Sequence, residues 1–388
     1  MRTNKTNVTC IRACIYIRMI DKLVLRCRFR EIEYFNIHDL DIPLEGAIDG
    51  DKRLTMVRHP WERIPSSFAP VAFKVFDQSL NKNPDAYIEL KASPAKVMQG
   101  HNVFGSDNLR ECALALTGAF FCHYPQVADQ LDQSTWEVVE ADVTFHSRAE
   151  SVLHAIRFIT ALGNVCKGQT KARNGFSSTA YFGGKNSRLK KLKIYEKYSE
   201  IQQYLKKLLK QPDGELLAEP FTDQLLDYAK GLIRWEATIK KRWFERRNLP
   251  TNLNELCKVW DSVSYWKEAT KDIRQSLEGK EMKFQNDDEI ESALKDKFFA
   301  ITAKGNKSYT KALNAYRTYC LIRDNGWKEA TRMMTRQSFW NHVHMLNEIG
   351  LSTAAIQNLH TNGAKIIPLI QYIKVEFGEQ IPEWARVA

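Results

Sequence analysis

The chain has 388 residues, a formal net charge of +11 at pH 7 and a hydrophobic fraction of 44%. This composition allows a sizeable core, and the length predicts two domains or one large domain with an appendage. The positive charge favours a polyanionic partner, either nucleic acid or an anionic membrane surface. No stretch approaches the ~18 consecutive apolar residues of a membrane span, which argues against a membrane-spanning protein.

Eight cysteines are scattered along the chain without a Cys-x-x-Cys pair. This distribution predicts buried free thiols in a reducing compartment and argues against a disulfide framework or a zinc site. Residues 1–18 lack the apolar core and the cleavage site of a signal peptide. We interpret them as an N-terminal extension that is disordered or derives from a non-native start, and we expect a cytoplasmic protein.

Alternation of apolar and polar residues predicts a series of strands in the first part of the chain. These strands cover residues 22–29, 53–59, 71–76, 86–91, 136–145 and 232–240. Strands followed by helices, without a regular βαβ order, predict an α+β domain with a largely antiparallel sheet.

Helices are predicted at residues 107–121, at residues 201–208 and from a capping box that begins at Ser147. Pro94 and Gly100 are expected to end a strand and to place Gln99, His101 and Asn102 in a loop.

Beyond Arg246 the chain is predicted to be mostly helical. We therefore divide it into a sheet domain at 19–245, a helical connector at 246–281 and a helical C-terminal domain at 282–388.

The basic stretch at residues 185–198, KNSRLKKLKIYEKY, is the candidate site of chemistry, because it places six cations around Tyr195 and Tyr198. The cations are Lys185, Arg188, Lys190, Lys191, Lys193 and Lys197. A phenol has an ordinary pKa of ~10, so it is a poor nucleophile unless cations or a base help to remove its proton. The same cations can hold a phosphodiester backbone. The alternative is a solvated basic segment whose tyrosines pack against the core, and local spacing leaves Tyr195 open between strand and helix.

Carboxylates on the polar faces of two predicted strands are candidate metal ligands. Glu89 lies on one strand and Asp142 on the other, and His101 is the nearby loop imidazole. Such ligands suit Mg²⁺ or Mn²⁺. The alternative is a solvated sheet face, or salt bridges to the abundant lysines.

Two features near the C-terminus bear on nucleic-acid binding. His342-Val-His344 has the order of a His-hydrophobe-His metal motif, but that motif requires a strand, and here helical spacing separates the histidines by about 200°. We therefore discard it as an active site. Residues 327–334 and 336–349 have the lengths of a helix-turn-helix, with an ordinary helical hairpin as the alternative. Arg336, Gln337 and Asn341 at the start of its second helix are residue types that read bases.

The segment IELKASPAKVMQGHNVFG at residues 88–105 resembles the replication initiator endonucleases of filamentous bacteriophages, the gene-two product family. Further matching stretches extend the resemblance to about residues 19–384. They include residues 19–26, 59–62, 142–145, 168–171, 232–237, 338–340 and 382–384. The run that begins at Thr179 also resembles rolling-circle plasmid initiators.

The resemblance implies an N-terminal nickase domain of the His-hydrophobe-His, rolling-circle initiator type. It further implies an enzyme that nicks the viral strand of supercoiled double-stranded phage DNA at the origin. Tyr195 corresponds to the nucleophile and forms a 5′-phosphotyrosyl link, and Lys197 lies two residues later. The free 3′-OH primes rolling-circle synthesis, after which the displaced strand is cut and recircularised.

The resemblance also implies Mg²⁺ or Mn²⁺ as cofactor, host helicase and DNA polymerase as partners, self-association at the origin and the host bacterial cytoplasm as location. It implies a shorter product from an internal start, for which Met282 is the candidate. The chain lacks a histidine pair on a strand, so Glu89, His101 and Asp142 are assigned by strand geometry alone. The alternatives are a non-catalytic basic protein that binds the origin and a membrane-surface protein.

Overall fold

The computed structural model describes residues 19–30, 45–48, 50–51, 54–65, 68–76, 85–167, 170–174, 178–184, 186–277, 286–360 and 382–385. The N-terminal extension, Lys185 and the candidate internal start Met282 lie outside the described residues. The boundary proposed at residues 281 and 282 lies outside them too.

The strands of the described residues are, in chain order, β1 (Met19–Arg28), β2 (Glu45–Ile48), β3 (Leu54–Arg58), β4 (Glu62–Ile64), β5 (Val71–Phe76), β6 (Tyr87–Ala92), β7 (Glu137–Arg148), β8 (Cys166–Lys167), β9 (Thr170–Asn174), β10 (Thr179–Phe182), β11 (Lys190–Glu196), β12 (Leu232–Lys240), β13 (Ala300–Ile301) and β14 (Lys307–Ser308). Ten of them form one sheet in the order β4-β5-β6-β1-β7-β12-β11-β10-β9-β8, with β2 and β3 and then β13 and β14 forming separate pairs. Neighbouring strands of the large sheet pair antiparallel. The predicted antiparallel sheet is therefore confirmed.

The helices are α1 (Pro94–Gln99), α2 (Leu109–His123), α3 (Pro125–Ala128), α4 (Val152–Leu162), α5 (Lys197–Leu208), α6 (Gly214–Ala218), α7 (Asp223–Ala229), α8 (Lys241–Glu245), α9 (Leu253–Val259), α10 (Ser262–Leu277), α11 (Asp287–Lys297), α12 (Thr310–Asn325), α13 (Trp327–Arg332), α14 (Arg336–Glu348) and α15 (Thr353–Gln357). Short 3₁₀ helices cover Gln133–Thr135 and Glu383–Ala385. The predicted helical C-terminal part is confirmed.

The large sheet has an apolar and a polar face, because residues two apart on a strand point to the same side. The apolar face carries Leu23, Leu25, Val143, Phe145, Ile194 and Trp235, all of them buried. Helices α2, α4 and α10 contact this part of the sheet and contribute side chains to the same core. What we call the polar face carries Lys22, Asp142, Thr144, Lys193, Tyr195, Arg234 and Glu236. A register slip of one residue would exchange the two faces, so the apolar core fixes which side chains meet on the polar one.

Two local predictions were wrong. Gln99 ends a helix that begins at Pro94 instead of lying in the loop with His101, since proline fits the first turn, where its missing N–H is not needed. Ser147 lies inside β7, and the side chain of Ser151 instead caps α4 by accepting a hydrogen bond from the His154 N–H at 3.2 Å. The strand continues past its predicted end because its last residues pair with β12.

Helices α11 to α15 surround a second apolar core, which includes Phe339, Val343 and Leu346 of α14. The predicted connector packs against the sheet instead: Trp266 of α10 is buried, and its indole N–H donates to the Trp235 carbonyl at 3.1 Å. The two parts of the chain also touch each other, since helix α15 contacts α10.

The histidines of the discarded motif lie on α14, as predicted. His342 Nδ1 lies 2.7 Å from Thr318 Oγ1, whereas His344 Nε2 lies 3.0 Å from Glu348 Oε1. Buried free thiols were also predicted, and the free cysteines of the described residues include Cys27, Cys112, Cys122, Cys257 and Cys320. Burial is confirmed for Cys27 and Cys112, Cys257 and Cys320 are half-buried, and the prediction is wrong for Cys122, which is exposed. In the same ranges, no helix is both long enough and apolar enough to cross a membrane.

Candidate active site

Tyr195 lies at the end of a strand, which resolves the ambiguity that its local sequence left. It occupies the last position but one of β11, and α5 begins two residues later. The Glu196 carboxylate caps this helix by accepting hydrogen bonds from the N–H groups of Tyr198 and Ser199 at 2.9 and 2.7 Å. The strand-to-helix junction therefore holds Tyr195 firmly, and its side chain is only 4% exposed.

Three cations surround the Tyr195 ring. The Nζ atoms of Lys193 and Lys197 lie 3.9 and 5.9 Å from the ring centroid, and the central carbon of the Arg234 guanidinium lies 6.0 Å from it. Arg234 Nη1 is 3.5 Å from the phenol oxygen, at the long end of the hydrogen-bonding range. Burial raises the pKa of Tyr195 well above its ordinary value, and the Arg234 charge opposes that rise.

Arg234 is fully buried in the middle of the polar face. Its three nitrogens bind one carboxylate, one imidazole and two backbone carbonyls: Asp21 Oδ2 at 3.1 Å, His146 Nε2 at 2.9 Å, Val103 O at 3.0 Å, and Asn102 O. Asp21 sits at an irregularity where β1 slips by one residue against β7. Such a bulge redirects a side chain, and here the redirected carboxylate meets the arginine.

Lys197, the first residue of α5, is also fully buried. Its Nζ donates to Asn102 Oδ1 at 2.9 Å and to Glu200 Oε2 at 2.5 Å. Asn102 in turn donates to Asp21 Oδ1 at 2.7 Å. One hydrogen-bond network therefore links Lys197 through Asn102 to Asp21, which binds Arg234. Burial and the nearby Arg234 charge lower the pKa of Lys197 to about 8, despite the Glu200 carboxylate.

The other ionisable groups of this network respond to the same charges. Burial raises the pKa of Asp21, but the charges of Arg234 and Lys197 outweigh it and hold that pKa at about 2. Burial and the same two cations lower the pKa of His101 to about 4. At neutral pH the network therefore combines an ionised Asp21, a charged Arg234 and an uncharged His101.

Two more carboxylates share the polar face with Tyr195. Asp142 is 3% exposed, and one of its oxygens lies 3.1 Å from Lys22 Nζ. Glu236 lies 3.7 Å from Lys193 Nζ. Burial and then the Asp142 charge raise the pKa of Glu236 to about 7.

The structure does not bring the three predicted metal ligands together. Glu89 receives two hydrogen bonds from Arg26, at 2.7 and 3.1 Å. Arg26 is four residues from Lys22 along β1, so Glu89 and Asp142 are separated by about 13 Å in the strand direction alone. Throughout the described ranges, no group of three or more His, Cys, Asp or Glu side chains could hold a metal ion. The predicted residues do not fit the ion as a set.

The predicted DNA-binding residues fall into two groups. On β11 and the turn before it, Arg188 is exposed, Lys191 and Lys193 are half-buried, and Lys190 donates to the Ala269 carbonyl at 2.9 Å. On α14 the three predicted residues are exposed at the start of the helix: Arg336, Gln337 and Asn341. The last two are joined by a hydrogen bond of 3.0 Å from the Gln337 amide.

Sequence reasoning missed Asp21, Asn102, Glu200 and the central place of Arg234. Arg234 carried a detectable signal, because it stands on a strand in the run Leu232-Ile-Arg-Trp-Glu. Glu236 stands two positions after Arg234 on the same strand, yet its ion pair is with Lys193 and the arginine binds Asp21. The contact between Arg234 and Asp21 depends on the bulge in β1, which no local pattern indicates.

The arrangement gathers cations around a buried tyrosine, which suits an anionic ligand, and comparisons with known proteins identify the family of the chain. The family model for the N-terminal part of the phage replication-associated protein, the gene-two product, matches residues 19–268, and the model for its C-terminal part matches residues 301–387. The chain is 34% identical over 361 residues to the replication-associated protein of Salmonella phage IKe, covering 88% of this chain and 84% of the relative. It is 32% identical over 362 residues to that of Enterobacteria phage M13, covering 88% and 87%. No solved structure matches the chain.

The chain therefore belongs to the gene-two family of phage replication-associated proteins. The resemblance found in the sequence is confirmed.

Proposed function

We propose that this protein is the origin-specific endonuclease and strand transferase that starts rolling-circle replication of a filamentous phage. The observation that carries the proposal is the position of Tyr195, a phenol with three cations within about 6 Å of its ring, in a family of phage replication proteins. Cations in this arrangement favour both a phosphate group and a phenolate.

In the proposed reaction the phenol oxygen of Tyr195 attacks the scissile phosphorus of the viral strand. The Oη–P bond forms and the P–O3′ bond breaks, so the 5′ phosphate stays on the tyrosine. The phenol proton is lost and the 3′ oxygen gains a proton, which leaves a 3′-OH. The phosphodiester energy is kept in the tyrosyl ester, and a later 3′-OH can reverse the reaction and close a circle without ATP.

Because Tyr195 is buried, the phosphate must displace a side chain to reach the phenol oxygen. Lys193 is the candidate, since its Nζ covers the ring at 3.9 Å and its side chain is 33% exposed. A DNA phosphate can replace Glu236 as the ion-pair partner of Lys193. The lysine side chain would then move away from the Tyr195 ring.

Lys197 is the proposed proton acceptor. A neutral lysine has two N–H groups and one lone pair, and Asn102 and Glu200 accept two hydrogen bonds from its Nζ. A pKa of about 8 lies near physiological pH, where a group can both take up and release a proton.

A divalent cation remains part of the proposal, although the predicted ligands do not fit it as a set. Of the three, Asp142 shares the polar face with Tyr195. If Glu89 were a ligand, Glu89→Gln would change the Mg²⁺ concentration needed for nicking. We expect no such change, because Glu89 is held by Arg26.

The partners proposed are the supercoiled phage origin and its displaced single strand, with host helicase and DNA polymerase acting after the nick, self-association at the origin, and the bacterial cytoplasm as location. Phosphate contacts from the exposed cations would hold the DNA. The exposed start of α14 is the proposed base-reading surface, because Arg336, Gln337 and Asn341 lie outside the core there.

The test is to incubate the protein with supercoiled plasmid that carries the phage origin, with Mg²⁺, and to look for nicked circles and an SDS-resistant protein–DNA adduct. We expect both, and EDTA should abolish them. Origin binding without a nick or an adduct would favour the alternative, a non-catalytic protein that marks the origin for host enzymes.

A further inference from the structure

A buried arginine beside the proposed nucleophile is costly to maintain. Removing a guanidinium from water is energetically unfavourable, and apolar side chains of similar volume often stabilise a fold as well or better. Arg234 is nevertheless fully buried, and each of its three nitrogens has a hydrogen-bond partner. These hydrogen bonds therefore fix the orientation of the guanidinium.

The Nη1 atom of this fixed guanidinium lies near the phenol oxygen of Tyr195, the proposed nucleophile. Nη1 is shared between Asp21 Oδ2 at 3.1 Å and the Tyr195 phenol oxygen at 3.5 Å. A neutral phenol oxygen is a weak acceptor, but a phenolate or a phosphotyrosyl oxygen is a strong one, so this long contact would shorten as negative charge develops.

We infer that Arg234 is a catalytic residue of the DNA-cleavage reaction and that Asp21 is its positioning residue. The inference rests on the proposed function. The guanidinium stabilises the charge that appears on the Tyr195 oxygen as its proton leaves, and it then holds the phosphate that becomes attached there. Asp21 keeps Nη1 aimed at that oxygen, and the two carbonyls of the 102–103 loop hold the other terminal nitrogen.

A second effect follows from the same charge. Arg234 lowers the pKa of Lys197 toward neutral pH, so the cation that favours the phenolate also favours the base that makes it. The other charged or titratable groups that face Lys197 are Glu200 on its own helix, Asp21 on β1, His146 on β7, Lys96 on α1, Tyr195 on β11, and His101 in the loop. The two carboxylates and Lys96 remain in an Arg234 variant, so a change in the pH dependence can be assigned to the arginine.

The experiment measures the rate of adduct formation against pH with a single-stranded origin oligonucleotide, for the wild type, Arg234→Lys, Arg234→Gln and Asp21→Asn. Arg247→Lys is the matched control, because that arginine is ion-paired with Glu268 away from Tyr195. We expect Arg234→Lys and Asp21→Asn to slow adduct formation about 100-fold, the usual loss when one such donor is removed. We expect Arg234→Gln to slow it further and to move the midpoint of the pH profile upward.

A merely structural role would lower the yield of folded protein without moving that midpoint, so each variant is checked by thermal melting and origin binding. If Arg234→Gln does not fold, 3-fluorotyrosine at position 195 replaces it as the test. Its more acidic phenol should recover part of the rate lost in Asp21→Asn.

Normal rates and an unshifted profile in folded Arg234 variants would overturn the inference, as would a failure of fluorotyrosine to recover any rate. Failure of the proposed function looks different: the wild type itself would form no adduct, or Tyr195→Phe would form one.

Discussion

The sheet domain and the C-terminal helices use their polar residues in opposite ways. In the sheet domain, Asp21, Arg234 and Lys197 are buried and bound to one another or to shared partners. On α14 the polar residues of interest are exposed at the helix start, and the buried side is apolar. Buried charges have fixed geometry and shifted pKa values, which is what chemistry requires, whereas exposed polar residues adapt to a partner.

This difference predicts that single substitutions on the polar face change rates and that those on α14 change affinity. Loss of the proposed nucleophile should have the largest effect, and loss of a single side chain of the proposed base-reading surface the smallest.

Tyr195→Phe should reduce nicking and adduct formation to background while origin affinity stays within about twofold. Phenylalanine keeps the buried ring and removes only the attacking oxygen. The measurement is an SDS gel of the adduct beside a binding titration.

Tyr198→Phe is the control: Tyr198 lies in the first turn of α5, half-buried against the cluster that includes Ile201 and Phe104. It should nick normally and lose no more than about 1 kcal/mol of stability. Label recovered on a peptide without Tyr195 would refute the assignment.

Lys197→Gln should lower the nicking rate by about 10² to 10⁴, the usual contribution of a positioned base. In the wild type the rate should rise with pH and level off above pH 8, because the pKa of Lys197 is about 8 and the neutral amine is the active form. Stopped reactions at a series of pH values on both sides of this midpoint measure the profile. A rate that falls through the same range would instead assign Lys197 the role of a required cation.

Glu236→Gln should stabilise the protein at pH 8 by up to about 3 kcal/mol. This is the free energy that corresponds to the rise in the pKa of Glu236 above that of an ordinary carboxyl. The folded pKa of Glu236 is about 7, raised by burial and by Asp142. The folded state therefore holds a proton that the unfolded state loses between pH 4.5 and pH 7, so this group makes the protein less stable as pH rises through that window. Urea unfolding below and above the window checks the sign: the variant should gain more above it. Equal gains at both pH values would show that Glu236 titrates normally.

Arg336→Ala, Gln337→Ala and Asn341→Ala should each weaken origin binding, by about 1 to 3 kcal/mol where the side chain reads a base. The nicking rate at saturating DNA should stay unchanged, because these residues lie on a helix of the second core and make no part of the network around Tyr195. Arg332→Ala is the control, since that arginine is exposed on the neighbouring helix α13. Equal losses for Arg332 and Arg336, on origin and random DNA alike, would indicate phosphate binding without base reading.

Sequence patterns anticipated the fold well where they were strong. The alternation at residues 71–76 and 232–240 predicted strands with the observed bounds, and helical spacing around His342 and His344 excluded a metal pair there. Helix starts were predicted less well, because Ser147 has the right spacing for a cap but β12 offers it a strand partner. Tertiary pairing overrides a local signal of this size.

By itself the sequence determined the α+β class and the family, and it indicated the candidate tyrosine within its run of lysines. It did so because periodicity and residue type act over a few neighbouring positions. Only the tertiary structure decided which side chains meet Tyr195: Asp21 is 174 positions away and Arg234 is 39, on β1 and β12. The register of the strands and the bulge in β1 bring them together, and both are set by packing of the apolar face rather than by any pattern near the site.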